Sequence, residues 1–186
     1  LGFGTKDGLN RFDGYSFKIF RNSRNDSGSI GNNFIHSIYE DKNGILWVGT
    51  ENGLYSYNAT TENFSLLKGT VNAPVTGITM DGEENIWFIL GFTLVKYHAA
   101  KELQFYGINT NFEATSICTS PGGTLWASAS DGYLKKYNAA TDSFTSFDVF
   151  FHSRKADSKW IERIYASADG SILIGTGRQG AKVFNI

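Results

Sequence analysis

Three aspartates are the first residues whose type suggests chemistry, because carboxylates commonly serve as general acids and bases. Asp41, Asp81 and Asp169 each stand shortly before an apolar run, in text rich in Gly, Asn and Ser. Side chains of this type stabilise a chain reversal by accepting hydrogen bonds from nearby backbone N–H groups. The segment after Asp41 also begins like a calcium loop, but the later ligands of such a loop are missing. We therefore interpret these aspartates as turn residues.

The histidines and the cysteine are the other candidates for catalysis or metal binding. His36, His98 and His152 fall at three different positions of the repeat described below, so repeat symmetry does not bring them together. The single cysteine, Cys118, excludes an internal disulfide and a cysteine-based zinc site, and no base is predicted beside it. The sequence therefore predicts no catalytic residue, no metal site and no cofactor.

Composition excludes several classes of protein. Hydrophobic residues make up 41% of the 186 residues, which excludes a disordered chain. With 17 Lys and Arg against 18 Asp and Glu, the formal net charge of -1 gives no general attraction for nucleic acid, and we expect no direct binding to it. No apolar run reaches the ~18 residues of a spanning helix, so we expect any membrane link to lie in a missing parent region.

The sequence repeats itself with a period of about 40 residues. One column of the repeat holds Trp47, Trp87, Trp126 and Leu173, and an isoleucine precedes each of them by the same number of residues. Within one unit we predict four short strands, at residues 35–40, 46–50, 54–57 and 64–67. Dipeptides such as Asn52-Gly53, repeated as Asp7-Gly8 and Asp131-Gly132, accept the positive φ of a tight hairpin.

Four antiparallel strands in every unit predict an all-β chain, a β-propeller of four-stranded blades. Another all-β repeat or a sandwich is the alternative, although a sandwich does not hold a constant period. We expect a single propeller over residues 1–186 with about four and a half blades, and a fragment because both ends lie in strand-like text. The predicted blades are residues 1–33 (partial), 34–73, 74–112, 113–160 and 161–186 (partial).

The residues that recur at fixed positions form a signature with two interpretations. The tryptophans of the column are either platforms for stacking sugars or packing residues between neighbouring blades. Because Leu173 replaces tryptophan in one unit, we favour packing. The structural signature consists of Trp47, Gly49, Thr50, Gly53, Trp87, Trp126, Gly175 and Thr176.

The best unit, residues 35–57, reads Ile-x-x-Ile-x-x-Asp-x-x-Gly-x-Leu-Trp-x-Gly-Thr-x-x-Gly-Leu-x-x-Tyr. This pattern resembles the two-component regulator propeller repeat of bacterial hybrid histidine kinases, especially those of gut Bacteroidetes. Residues 3–17 resemble the first blade of such sensors. The resemblance implies a periplasmic sensor portion of an inner-membrane protein, with the kinase elsewhere in the parent chain. It also implies an oligosaccharide ligand and control of polysaccharide-utilisation genes.

Two long connections between units are candidate binding loops, because function in repeat proteins tends to lie in loops that depart from the period. They occupy residues 21–33 and 148–159 and are predicted to emerge on one face. We interpret this basic loop face either as a solvated rim or as a site for an acidic glycan or an anionic partner. Its residues are Arg21, Arg24, His152, Arg154, Lys155 and Lys159.

Two other functions and one mode of association remain open. A propeller lyase or glycoside hydrolase is the first alternative, since residues 85–88 resemble streptogramin-lyase repeats. A scaffold that docks another protein is the second. Unpaired strand edges at the front and back of the chain would favour self-association or pairing with the remaining domains of a larger chain.

Overall fold

The structure of the protein is a computed structural model that describes residues 1–107, 112–151 and 158–185. Across these ranges the regular elements are β-strands. Among the described residues there is no helix long and apolar enough to cross a membrane.

The strands form five sheets. The first contains β1 (Gly2–Thr5), β2 (Gly8–Phe12) and β3 (Phe17–Phe20). The second contains β4 (Ile35–Glu40), β5 (Leu46–Thr50), β6 (Gly53–Asn58) and β7 (Asn63–Leu66). The third contains β8 (Val75–Met80), β9 (Ile86–Leu90), β10 (Thr93–Tyr97) and β11 (Gln104–Tyr106). The fourth contains β12 (Ala114–Thr119), β13 (Leu125–Ala129), β14 (Tyr133–Asn138) and β15 (Ser143–Asp148), and the fifth β16 (Ile161–Ala166), β17 (Ile172–Thr176) and β18 (Ala181–Phe184).

Strands that are consecutive in sequence are neighbours in every sheet. The ladders are antiparallel, and tight turns join the strands; Thr50 of β5, for example, pairs directly with Gly53 of β6. The first and last sheets have three strands and the others four. The prediction of an all-β chain of four-stranded antiparallel sheets is confirmed.

The chain divides into two compact units, Leu1–Ile78 and Thr79–Ile186. In the first unit, the core lies between the first two sheets. Phe20 of β3 packs edge-on against Tyr57 of β6 and Phe64 of β7, with ring centroids 5.3 and 5.6 Å apart. Leu9, Ile30, Ile35, Val48 and Tyr55 complete this buried cluster.

In the second unit, two of the recurring tryptophans lie at the centres of buried clusters. Trp87 of β9 is fully buried, and its ring centroid is 4.7 Å from that of Tyr137 on β14 of the next sheet. Trp126 of β13 is also fully buried and belongs to a cluster with Ile161 and Ile172 of the last sheet. Both indoles therefore pack between successive sheets.

Two signature glycines stand where a side chain would not fit. A Cβ atom on Gly49 would lie 2.5 Å from the carbonyl oxygen of Val75 and 2.3 Å from Oγ of Ser37. Gly53 has a φ of +102°, which residues with a Cβ rarely adopt. Gly49 therefore permits close strand approach, and Gly53 permits the β5–β6 turn.

Candidate functional site

Asp41 and Asp81, at the start of the turn between the first two strands of their sheets, accept several hydrogen bonds each. Asp41 accepts bonds from the backbone N–H groups of Asn43 and Ile45, at 2.9 and 3.0 Å, and its second oxygen accepts the indole N–H of Trp47 at 2.9 Å. Asp81 accepts the indole N–H of Trp87 in the same way, at 2.6 Å. Both carboxylates are buried. They hold the turn and the tryptophan in place, in agreement with the turn interpretation.

The equivalent turns of the last two sheets lack this carboxylate. Ser120 stands where Asp41 stands relative to its tryptophan, and the buried Nε1 of Trp126 has no hydrogen-bond partner among the residues that the structure describes. Asp169 stands two residues later in its turn, where it is exposed and accepts a hydrogen bond from the backbone N–H of Ser171 at 2.9 Å. The aspartates are therefore not equivalent positions of one site.

The most strongly perturbed side chains surround Asp142, in the β14–β15 hairpin. Tyr106 and Tyr137 each donate a hydrogen bond of 2.6 Å to Oδ1 of Asp142, and these bonds hold the pKa of Asp142 well below its usual range. Burial and the Asp142 carboxylate raise the pKa of Tyr106 well above its usual range. Burial opposes ionisation of Lys96, but its hydrogen bonds to Tyr137 and Asp142 raise its pKa. Each group is held in its ordinary charge state, and the network joins β10 and β11 to the β14–β15 hairpin of the next sheet.

The described histidines and the cysteine each have a different local environment. His36 pairs with Glu51 at 2.5 Å in the first unit, and His98 accepts a hydrogen bond from the backbone N–H of Ala100 in the second. Burial raises the pKa of the Cys118 thiol to about 12, so the reactive thiolate is scarce at neutral pH. Among the residues that the structure covers, no three His, Cys, Asp or Glu side chains are grouped so as to hold a metal ion.

Three members of the basic loop face lie in the described residues, and two of them have an acidic neighbour. Arg21 forms an ion pair with Asp7, and Arg24 is exposed. Lys159 lies 3.6 Å from a carboxylate oxygen of Asp148. His152, Arg154 and Lys155 lie outside the described residues. The basic loop face stays a prediction.

An exposed aromatic pair stands at one end of the strands in the second unit. Phe92, in the β9–β10 hairpin, is 56% exposed. Its ring centroid is 6.5 Å from that of Trp160, which precedes β16, and the two rings are nearly perpendicular. Trp160 is partly exposed, whereas the other three tryptophans are buried. The pair therefore differs from the packing tryptophans.

Two carboxylates accompany this pair. Glu113 precedes Ala114, whose N–H donates to the carbonyl oxygen of Phe92 at 2.8 Å. Glu162 follows Trp160 by two residues, and its Oε1 and Cδ1 of Trp160 lie 3.1 and 3.7 Å from where a Cβ on Gly177 would stand. Gly177 thus leaves open the space beside the indole and the carboxylate. Phe92, Glu113, Trp160 and Glu162 are called the Phe92–Trp160 cluster below.

A β-bulge places Glu162 in this cluster. The β16–β17 ladder slips by one residue between Ile161 and Arg163, which leaves Glu162 without a direct partner across the ladder. The same slip occurs between Ile35 and Ser37, at His36. Bulges re-aim side chains and are common beside functional sites. Sequence reasoning missed the cluster, because Phe92, between β9 and β10, and Trp160, before β16, belong to different units of the repeat.

Comparison with known proteins supports the fold. Over the whole chain, the structure superposes on the extracellular domains of two hybrid two-component systems from B. thetaiotaomicron, with TM-scores of 0.80 and 0.81 and sequence identities of 22% and 21%. It also superposes on virginiamycin B lyase from Staphylococcus aureus, over 97% of the chain and 64% of the lyase, with a TM-score of 0.70 and 14% identity. The chain is therefore built from β-propeller blades, as predicted.

One unit of the repeat also matches a known family in sequence. Residues 29–52 match the sequence profile of the two component regulator propeller family. A 30-residue segment is 63% identical to histidine kinase P4 of Formosa agariphila. The chain thus carries a two-component regulator propeller repeat, which confirms the resemblance. It spans only 26% and 25% of the two B. thetaiotaomicron domains, and the aligned segment is 2% of the kinase.

Proposed function

We propose that this protein is the extracytoplasmic ligand-sensing propeller of a hybrid two-component sensor kinase. Its ligand in this proposal is an oligosaccharide, and the output is control of genes for polysaccharide use. The segment binds its ligand without transforming it, and the parent chain holds it on the periplasmic side of the inner membrane. The regulator repeat at residues 29–52 supports the sensor role.

The observation that carries ligand binding is the exposed pairing of Phe92 with Trp160. Sugars offer C–H groups that pack on aromatic faces, and hydroxyl groups that donate to carboxylates. A ligand that covers exposed aromatic surface gains free energy from its removal from water. The recurring aspartates and buried tryptophans are already used in holding the turns and the core.

Signalling requires that the ligand distinguish two arrangements of the parent sensor. A ligand shifts a conformational equilibrium only by its difference in affinity for the two states. We expect this segment to contribute the free energy of ligand binding. The two arrangements between which the ligand distinguishes belong to the parent chain.

Calorimetric titration with a panel of oligosaccharides tests the proposal. We expect saturating heats for one class of glycan. Trp160→Ala and Phe92→Ala should each weaken its binding about tenfold or more, because each removes one stacking face. Tyr165→Ala is the matched control, since Tyr165 is a 67% exposed aromatic residue on β16 outside the cluster.

Each other result has a definite meaning. Heat that continues after every injection would indicate turnover and replace the sensor with a lyase or hydrolase. Equal loss of binding in Tyr165→Ala would remove the cluster from the site. If no glycan binds at millimolar concentration, ligand sensing by this segment is wrong.

A further inference from the structure

The Phe92–Trp160 cluster has three described carboxylates around it. Glu162 lies beside Trp160, and Glu113 directly precedes Ala114, which is bonded to Phe92. Asp131 is exposed in the β13–β14 turn, beside the serine that binds Glu113. Two exposed cations stand nearby, Arg163 next to Glu162 on β16 and Arg178 in the adjacent β17–β18 turn. Lys159, next to Trp160 in sequence, is near Asp148. Apart from the Lys159–Asp148 pair, the described charges at this end of the strands are three carboxylates, of Glu113, Asp131 and Glu162, and two cations, Arg163 and Arg178.

One of the two carboxylates is oriented by its neighbours. Ser130 donates its hydroxyl to Oε2 of Glu113 at 3.0 Å, and its backbone N–H donates to the carbonyl oxygen of Glu113 at 2.9 Å. Glu113 is thereby fixed relative to the β13–β14 turn, and the bond from Ala114 to Phe92 joins the start of the same strand to the hairpin that carries Phe92. A carboxylate held in this way accepts hydroxyl donors at little entropic cost.

From this arrangement we infer that the Phe92–Trp160 cluster binds neutral oligosaccharides and discriminates against those that carry uronate or sulfate groups. The inference rests on the proposed function and adds the charge class of the ligand. Sugar hydroxyls satisfy Glu113 and Glu162, whereas an anionic substituent at the same place is repelled by both. If an anionic substituent came within about 7 Å of each carboxylate in water, the two repulsions together would reduce affinity about tenfold. The reduction would be larger where water is excluded from the contact.

The test compares two probes that differ only in charge. Oligogalacturonate and its fully methyl-esterified form share one backbone, and they are titrated beside neutral gluco-, galacto- and arabino-oligosaccharides. Tryptophan emission reports binding at the cluster, because Trp160 is partly exposed and the other three tryptophans are buried. We expect a neutral glycan to shift the emission, and the esterified probe to bind at least tenfold more tightly than the acid. This difference should shrink in 0.5 M NaCl, where charges are screened.

The double variant Glu113→Gln and Glu162→Gln tests the carboxylates themselves. It should reduce the difference between acid and ester to within about threefold while it weakens neutral glycans. Glu83→Gln with Glu102→Gln is the control pair, because both are exposed acids of the same unit outside the cluster. That pair should leave the difference unchanged.

Tighter binding of the acid than of the ester would overturn the inference but leave the proposed sensor intact, and would favour the basic loop face. An unchanged difference in the cluster variant would also overturn it. Absence of binding by every probe would overturn both the inference and the proposed function.

Discussion

The ammonium group of Lys96, on β10, lies 3.1 Å from Oδ1 of Asp142, in the β14–β15 hairpin of the next sheet. Tyr137, at the end of β14, lies between them and accepts a hydrogen bond from Lys96 at 2.7 Å. Asp142 has a φ of +49°, so the hairpin tip itself is held in a conformation that asparagine, aspartate and glycine adopt most readily. A basic side chain on one sheet thus holds in place a hairpin of the next sheet through the aspartate at its tip.

The first unit contains the same arrangement with different residues. Arg11 on β2 donates hydrogen bonds of 2.9 Å to Tyr57 and to Glu62 in the β6–β7 hairpin. Glu62 also has a positive φ, of 58°, and Lys18 is its second cation. The shared pattern of base, tyrosine and acid shows that this contact belongs to the repeat.

Replacement of Asp142 should destabilise the second unit mainly above pH 4. The pKa of Asp142 is lowered in the folded state, so its contribution is present above the unfolded pKa, near 4, and is lost as the pH falls. Asp142→Asn should cost about 1 kcal/mol at pH 7, a small value because the side chain is 46% exposed. Denaturant unfolding at pH 7 and pH 3 should show a smaller difference in free energy of unfolding between the variant and the wild type at the lower pH, because the loss begins near pH 4 and is completed only below the folded-state pKa. Glu102→Gln serves as the control, and a loss that does not depend on pH would contradict this account.

Ser120→Asp should stabilise the fourth sheet by supplying the missing partner of Trp126. The Ser120 turn has the same shape as the Asp41 turn: Gly44 and Gly123 both have a φ of +78°, and their N–H groups donate to the carbonyl oxygens of Asp41 and Ser120. A satisfied buried N–H is worth about 1–2 kcal/mol, which thermal unfolding would detect.

Two further variants complete this comparison. Ser120→Ala should change stability little, because the indole N–H of Trp126 has no partner to lose. Asp81→Ala should cost about 3 kcal/mol, since it leaves buried N–H groups of Trp87 and the turn without acceptors. A stabilising effect of Ser120→Ala equal to that of Ser120→Asp would exclude the hydrogen bond as the cause.

The thiol of Cys118 should react slowly with disulfide reagents at pH 8. Its pKa of about 12 leaves little thiolate, and the side chain is only partly accessible. We expect labelling at least a hundredfold slower than for the denatured chain. Because the pKa is raised by burial, a fast reaction of the folded protein would mean that the fourth sheet opens readily.

Most of the fold could be predicted from the sequence, because each unit of the repeat folds into one sheet. The alternation of apolar residues marks residues 35–40 and 46–50 as strands, and the structure has the same bounds. The strand predicted at 54–57 extends by one residue at each end, because the ladder continues through Gly53 and Asn58. Turn glycines and the alternation of apolar residues are local features of the sequence, so they can be recognised without knowledge of contacts between distant residues.

The Phe92–Trp160 cluster was not accessible in this way. Phe92 lies in a hairpin that departs from the repeat, since Gly91, with a φ of +65°, takes the first turn position and Phe92 the second. The unit therefore looks degenerate in sequence at the point where an aromatic residue is exposed. Trp160 and Glu162 belong to another unit, and only the packing of β12 against β16 brings them near Phe92.

Comparison of Gly49→Ala with Gly122→Ala should show whether close approach of a neighbouring strand, or only backbone entropy, makes a glycine important for stability. Alanine at position 49 places its Cβ 2.5 Å from the carbonyl oxygen of Val75, a backbone atom that moves only with its strand. We expect a loss of about 2–3 kcal/mol, in the range of overpacked cores. Alanine at position 122 meets no atom within 4 Å and should change the free energy of unfolding by less than about 0.5 kcal/mol. Denaturant titration of both variants measures the difference, and similar losses would mean that backbone entropy, rather than the approach of Val75, selects glycine at position 49.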